Sequence, residues 1–270
     1  MTTLSPKRPR LLRVQSWQDL SPHLRRIVFH SADLADYPFQ CNGAHIKLFL
    51  PLPGQDVPQL PVVTAQGPQW ADKADKPITR TYTLRSYDAA ACTVSVDFVL
   101  HGDNGPASRF ALAASPGLCI GISPPAGPVP MLKAAAHYLL AGDLSALPAI
   151  ESMLHDMAPD ARGDVLLWLP ERADLRPLPL PAGVRLHSFF GDADRHAAFI
   201  DTLRQCRPDT DDCFVWLAGE AALVADGRAL ARQQWQIPLA CCYAVPYWRR
   251  GQDEETYHQS RHDFMDSDGD

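Results

Sequence analysis

Apolar and polar residues alternate along the first half of the chain and gather into solid blocks in the second. Between residues 93 and 101 the alternation is strict. Val94, Val96, Phe98 and Leu100 share one face of an extended segment, and Ser95, Asp97, Val99 and His101 share the other. Leu24 to His30 and His45 to Leu50 are further short β-rich runs. LCIGIS at 118–123 is another, closed by the turn residues PPAGP at 124–128. Pro- and Gly-rich loops separate these runs, notably 51–68. Many short strands with turn punctuation predict a small antiparallel β-barrel.

The character of the chain changes near Met131–Ala135. HYLLA (137–141) is a buried-strand pattern ending at Gly142-Asp143. A helical pattern follows, with Leu147, Ile150, Met153, Leu154 and Met157 at three- and four-residue spacing. DVLLWLP (164–170), VRLHSFF (184–190), CFVWLAG (213–219) and PLACCYAV (238–245) continue the strands. Helices are expected around 194–205 and at about 221–235. Strands alternating with helices predict a doubly wound parallel α/β sheet. The organisation read from the pattern is therefore a β-barrel domain over 1–132, an α/β domain over 133–250 and an acidic C-terminal tail over 251–270.

Composition narrows the class. Hydrophobic residues make up 46% of the 270 and charged residues 21%, which excludes a disordered or fibrous chain. No apolar run approaches the ~20 residues of a membrane span. The basic start MTTLSPKRPRLLRV leads into a strand-like pattern, so neither a signal peptide nor a stable membrane association is expected. The net charge of −6 resides in the tail, which holds seven acids and one base and leaves 24 of each in the body. With no basic excess, nucleic acid is not an expected partner. The seven cysteines form no CxxC pair and several lie in apolar runs, which suits reduced thiols in the cytoplasm.

RTYTLRSYD (80–88) carries the most chemistry. A strand bearing Arg80, Tyr82 and Thr83 suits a flavin. The guanidinium forks onto a phosphate, the ring two residues on lies on the same strand face and can cover the isoalloxazine, and the hydroxyl can meet its reactive edge. An ordinary surface strand has the same pattern. HGDNGPASRFA (101–111) follows the alternating strand and opens a helix at Pro106-Ala107, where free N–H groups suit a pyrophosphate and Ser108 adds a hydroxyl. A plain helix start capped by Asn104 accounts for it equally. AGDLSALPAI (141–150) stands where a doubly wound sheet binds a nucleotide, although of the GxGxxG pattern it has Gly142 alone. Gly219 and Glu220, at the end of the fourth parallel strand, are expected to face the same crevice. Arg172 follows the second parallel strand, where a ribose 2′-phosphate sits, with Arg176 nearby; a solvated loop is the other reading.

His258 and His262 stand at i, i+4 beside Asp263 and suit a metal, but a solvated tail suits them better. Cys241-Cys242 has no downstream cysteine, so two strand cysteines are a better reading than an iron–sulfur ligand set. No GxSxG elbow supports a hydrolase.

In order and spacing, RTYTLR (80–85), DFVLHGDNGPASRFA (97–111), GISPPAG (121–127), LLAGDLSALPAI (139–150), VWLAGEA (215–221) and YWRRG (247–251) resemble the siderophore-interacting protein family, over roughly residues 10–251. The resemblance implies a ferredoxin-reductase-like architecture, with an FAD-binding barrel followed by a nicotinamide-binding domain. It implies an NAD(P)H-dependent flavoprotein, using NADPH or NADH, that reduces ferric siderophores and releases Fe(II). It places Arg80, Tyr82 and Thr83 at the flavin. Asp97, Val99, His101, Gly105, Ala107 and Ser108 belong with the flavin-phosphate segment. Gly142, Asp143, Ser145, Ala146 and Pro148, with Glu220, belong to the nicotinamide crevice. It places YWRRG near the flavin, which makes Trp248, Arg249 and Arg250 substrate candidates, with no side chain acting as a catalytic acid, base or nucleophile. Two departures stand out: Pro246 replaces the glycine usual before Tyr-Trp-Arg, so the local path there is expected to differ, and the tail is acidic where some relatives carry lysines. A flavin reductase serving a protein acceptor and a non-catalytic siderophore-binding protein are the alternatives.

Overall fold

The computed structural model describes residues 7–65, 67–102, 105–192, 195–252 and 257. By its internal contacts the chain divides after Met131 into two compact units.

The first unit is built on a seven-stranded antiparallel sheet. Its strands are β1 (Arg10–Ser21), β2 (Leu24–His30), β3 (His45–Leu50), β6 (Ile78–Thr83), β7 (Ser86–Asp88), β8 (Thr93–Val99) and β9 (Cys119–Ile122), in the order β6-β3-β9-β1-β2-β8-β7. The short strands β4 (Val62–Thr64) and β5 (Gly67–Gln69) pair with each other alone. The two ends of the order, β6 and β7, are consecutive pieces of one chain segment. They are joined by Leu84 and Arg85, and Arg85 N–H donates to Ser95 O in β8 at 3.0 Å. The sheet therefore closes on itself as a barrel, which leaves no long free edge. Val94, Val96 and Phe98 enter the core with Leu12, Ile27, Phe29, Ile46, Leu48 and Ile120.

The opposite face of β8 departs from a simple alternation, because it too is covered. Ser95 and Asp97 are buried. Each is satisfied by a residue directly across the ladder: Ser95 Oγ lies 2.5 Å from Ser86 Oγ, and Asp97 takes a bidentate pair from Arg26 at 2.6 and 2.7 Å. Buried polar groups need such partners. The strand ends at Val99, so Leu100 and His101 lie beyond it. The helix α1 (Pro106–Leu112) packs its Ala107, Phe110 and Ala111 onto the same core.

The second unit is a five-stranded sheet of β10 (His137–Asp143), β11 (Arg162–Leu169), β12 (Gly183–Phe190), β13 (Cys213–Glu220) and β14 (Cys242–Trp248). All neighbours are parallel, in the order β12-β11-β10-β13-β14. The crossovers carry α2 (Leu147–Asp156), α3 (His196–Gln205) and α4 (Ala221–Ala229). Continuous apolar runs such as Val165–Leu167 and Phe214–Ala218 are buried on both faces, as parallel strands require. The chain reverses its direction of sheet growth between β10 and β13, which is the switch point of a doubly wound sheet.

Two boundaries differ from the sequence pattern. The last strand begins at Cys242 rather than at 238, because 239–241 form a 3-10 turn; Cys241 therefore precedes the strand. The helix expected over 221–235 is α-helical only to Ala229 and continues as a π turn over Leu230–Gln234. At Pro246 the β13–β14 ladder slips: Gly219 faces Pro246 while Glu220 faces Trp248, passing over Tyr247. A residue without an N–H fits an end strand at such a bulge. Among the described residues, no helix is long and apolar enough to cross a membrane.

Candidate functional site

In the barrel unit, β6 is an end strand of the sheet order and pairs with β3, Arg80 opposite Leu48 and Tyr82 opposite Ile46. Arg80 and Tyr82 are two residues apart and so share a face. Both are half-buried. The Tyr82 ring lies 4.6 Å, centroid to centroid, from Phe98, and Arg80 Nη1 donates to Thr79 O at 2.8 Å. Thr83, on the other face, is buried. This strand offers a cation and a braced, half-exposed ring side by side.

The loop after β8 leads into α1, whose N-cap is Gly105 in an extended conformation. No side chain caps it, and Pro106 occupies the first turn. The N-cap glycine supplies no acceptor to the first-turn N–H groups, and N–H groups without such a cap can receive an anion. Ser108 has a different task from the phosphate contact expected of it. Its buried hydroxyl donates to Gly102 O at 2.5 Å and accepts the His101 N–H at 3.2 Å, so it shapes the loop from within. Asp97 is likewise occupied by Arg26. Val99 is half-buried at the strand end, Ala107 is buried and His101 is exposed. A Cβ on Gly105 would stand 3.0 Å from His101 Cε1, so glycine lets the imidazole lie against the helix start. Asn104, the alternative cap, lies outside the described residues.

In the α/β unit the crevice at the switch point is organised by Asp143, the last residue of β10. Its side chain is buried and accepts four hydrogen bonds. Oδ1 takes Ser145 N–H at 2.8 Å and Ser145 Oγ–H at 2.6 Å; Oδ2 takes Glu220 N–H at 2.7 Å and Trp248 Nε1–H at 2.7 Å. Burial pushes the Asp143 carboxyl above its usual range, and the donors from Ser145, Trp248 and Glu220 work against that rise. The carboxylate therefore ties together the ends of β10, β13 and β14.

Two glycines make this packing possible. Gly219 has φ +124, and a Cβ on it would stand 2.6 Å from Asp143 Oδ2. A Cβ on Gly142 would stand 2.5 Å from Ala218 O and 2.6 Å from Ala146 Cβ. Ala146 is the N-cap of α2 and offers no capping side chain, with Pro148 in the first turn. The start of α4 is closed instead: Glu220 Oε2 accepts Ala222 N–H at 2.6 Å and Leu223 N–H at 3.4 Å, while Oε1 accepts Arg250 N–H at 3.3 Å. Of the two helix starts at the switch point, α2 has no side-chain cap and α4 has one. Glu220 is thus a capping residue as well as a crevice residue, and the sequence reading missed that role because Glu is not among the usual N-caps.

Arg249 and Arg250 are exposed, and Trp248 is 39% exposed despite its bond to Asp143. The two arginines near β11 have different environments. Arg176 forms a bidentate pair with buried Glu151 at 2.9 and 2.5 Å, whereas the exposed Arg172 lays its guanidinium over the Phe190 ring at 4.8 Å. His258, His262, Asp263 and the acids of the tail lie outside the described residues.

Residues 13–129 match the family described as the siderophore-interacting FAD-binding domain, and residues 135–251 match the siderophore-interacting protein family. The chain is 33% identical over 263 residues to the ferric vibriobactin reductase ViuB of Vibrio cholerae, covering 96% of each. It is 29% identical over 244 residues to the NADPH-dependent ferric-chelate reductase of Escherichia coli, covering 88% of this chain and 92% of that one. Among solved structures, the siderophore-interacting protein SipS of Aeromonas hydrophila superposes with a TM-score of 0.87 at 44% identity, over 97% of this chain and all of that one.

Proposed function

The chain belongs to the siderophore-interacting protein family, and on that premise we propose that it is an FAD-containing oxidoreductase that draws on NAD(P)H to reduce ferric siderophores. The observation that carries the reading is the end-to-end likeness, through both units, to a ferric vibriobactin reductase. The barrel residues fit FAD: a half-buried cation and a braced ring share one strand face, and the helix start at Gly105 has no N-cap side chain in the way of a phosphate. When bound, FAD supplies the conversion of a two-electron hydride into single electrons, which suits the Fe(III) to Fe(II) change.

The protein's own part is binding and orientation. Arg80 holds a flavin phosphate, Tyr82 sets the ring plane and the start of α1 receives the pyrophosphate. The crevice at Asp143 receives the nicotinamide nucleotide, with the pyrophosphate at the start of α2 and Arg172 toward a 2′-phosphate. Ferric siderophores are often anionic, and the exposed Arg249 and Arg250 beside Trp248 supply fixed positive charge for them. Iron held by oxygen ligands loosens when it gains an electron, so no side chain has to act as acid or base on the metal. The small-molecule substrate, the neutral charge of the body and the seven free thiols accord with a cytoplasmic enzyme that binds neither nucleic acid nor membrane.

Stopped-flow mixing of the flavin-loaded protein with NADPH or NADH, followed by a panel of ferric chelates, tests this. Bleaching of the flavin by nicotinamide and its recovery on adding a ferric siderophore, with Fe(II) trapped by a chelator, is expected. A flavin that neither nicotinamide bleaches would make the protein a carrier, and one that only a protein acceptor reoxidises would make it a different reductase.

A further inference from the structure

The parallel sheet has a second polar cluster, at the amino-terminal edge of its strands, opposite the crevice. Asp164 near the start of β11 is 1% exposed. Its Oδ1 lies 2.8 Å from His187 Nε2 of β12, and that same nitrogen lies 3.7 Å from Cys206 Sγ at the C-cap of α3. One ligand atom from each of these three residues falls within 4.8 Å of the other two. On the other side, His137 Nε2 at the start of β10 is buried, has no hydrogen-bond partner among the described residues and lies 3.8 Å from Asp164 Oδ2. Its Nδ1 lies 3.2 Å from Asp209 Oδ1. A carboxylate on one ring nitrogen orients the other toward a metal.

The cluster is not arranged as a hydrolytic triad. Such a triad uses one ring nitrogen for the nucleophile and the other for the orienting carboxylate, whereas here both contacts fall on Nε2. The spacing instead suits ligands about a common centre. Metal–donor distances of about 2.0 Å to nitrogen and 2.3 Å to sulfur put tetrahedral N and S ligands about 3.5 Å apart, close to the observed 3.7 Å. The 2.8 Å His187–Asp164 contact would open by about 0.5 Å as its hydrogen bond gives way to two metal bonds.

We propose that Asp164, His187 and Cys206 form a site for a divalent transition ion. One sulfur, imidazole nitrogen and one carboxylate oxygen select Zn²⁺ or Fe²⁺ over Mg²⁺ or Ca²⁺. Arg185 donates to Asp164 through Nε and Nη2, each at 2.9 Å. Its side chain is 71% exposed, and an ion at Asp164 would have to displace this pair. An open cleft of about 390 Å³, lined by His137, Arg162, Arg185 and Asp209, adjoins the cluster on the side of His137 and Arg185. On binding, the Cys206 thiol proton and any proton on His187 Nε2 leave to water.

Titration of the chelator-washed, flavin-loaded full chain tests the site. Zn²⁺ should bind at about one equivalent by calorimetry, and Co²⁺ as a probe should give a thiolate-to-metal charge-transfer band. Cys206→Ser should abolish the band, and Cys206→Ser and His187→Gln should each weaken Zn²⁺ at least tenfold with flavin content unchanged. Removing residues 253–270 should leave both signals intact. An anaerobic Fe²⁺ arm, compared with Zn²⁺, identifies the preferred ion. A wild-type protein with no thiolate band, or Zn²⁺ binding that is lost with the tail and kept in Cys206→Ser, would overturn the site.

Discussion

Gly219 and Asp143 are locked together across the switch point of the parallel sheet: a Cβ on Gly219, at φ +124, would stand 2.6 Å from Asp143 Oδ2. The next N–H, that of Glu220, donates to the same oxygen at 2.7 Å. Gly219→Ala therefore meets both a forbidden backbone conformation and a clash with a buried carboxylate. A loss of about 1–3 kcal/mol is expected from the backbone alone. Nicotinamide-driven flavin reduction should fall at least tenfold while flavin content, set by the barrel, stays near one per chain. Thermal unfolding and single-turnover absorbance check both halves.

Arg80→Ala should strip the flavin and leave the barrel folded, and Arg80→Lys should restore little, because a point charge lacks the bidentate fork. Flavin absorbance per chain after reconstitution, beside circular dichroism, reads this. Full occupancy in Arg80→Ala would remove this residue from the flavin site.

The two arginines near β11 should separate cleanly. Arg172, exposed over Phe190, should set cofactor preference, so Arg172→Ala should raise the NADPH KM several-fold and leave NADH unchanged. Arg176 neutralises buried Glu151. Arg176→Ala should lower stability measurably, because it takes a bidentate charged partner from a buried carboxylate. Equal rates with both nicotinamides, untouched by Arg172→Ala, would make the 171–177 segment an ordinary surface loop.

Replacing both Arg249 and Arg250 with alanine should raise KM for anionic ferric chelates and leave flavin reduction intact. Removing residues 253–270, with their excess of acids, should lower KM for the same chelates. The second effect should fade with salt, since exposed charges act over about 10 Å at 0.1 M. A double variant that handles anionic and neutral chelates as wild type does would exclude these arginines from substrate binding.

In the barrel, the Arg8 and Arg10 guanidinium groups beside Asp36 hold its carboxyl down to about 2. The folded value lies below the ordinary one of 3.8. Its contribution to stability is therefore complete above that ordinary value and is lost as pH falls toward about 2. Asp36→Asn should lower stability at pH 7 and flatten the acid limb of a stability–pH curve in that window. Chemical denaturation at stepped pH measures it, and an unchanged acid limb would mean that Asp36 titrates as in the unfolded chain.

Periodicity specified most strands and helices, though not β1 or the short pair β4 and β5. Solid apolar blocks at 138–142 and 213–218 record strands covered on both faces, whereas the period of two in 93–99 conceals that its polar face is covered as well. The place of the crevice followed as well, because strand and helix alternation puts a switch point at the end of β10. Tertiary structure decided what individual polar side chains do. Asp97 has the pattern of a solvent-facing residue until the register of β2 against β8 sets Arg26 opposite it. Ser108 was expected to reach outward, yet its hydroxyl closes its own loop. Glu220 caps α4, and Trp248 reaches an aspartate 105 residues away. Asp164, His187 and Cys206 come from three separate elements whose patterns give no sign that they meet. The physical reason is common to all of these. Hydrophobic periodicity encodes which face of an element is buried, which is a local property, whereas a hydrogen bond or a ligand set needs two or more elements at one register and distance, which only the assembled sheet provides.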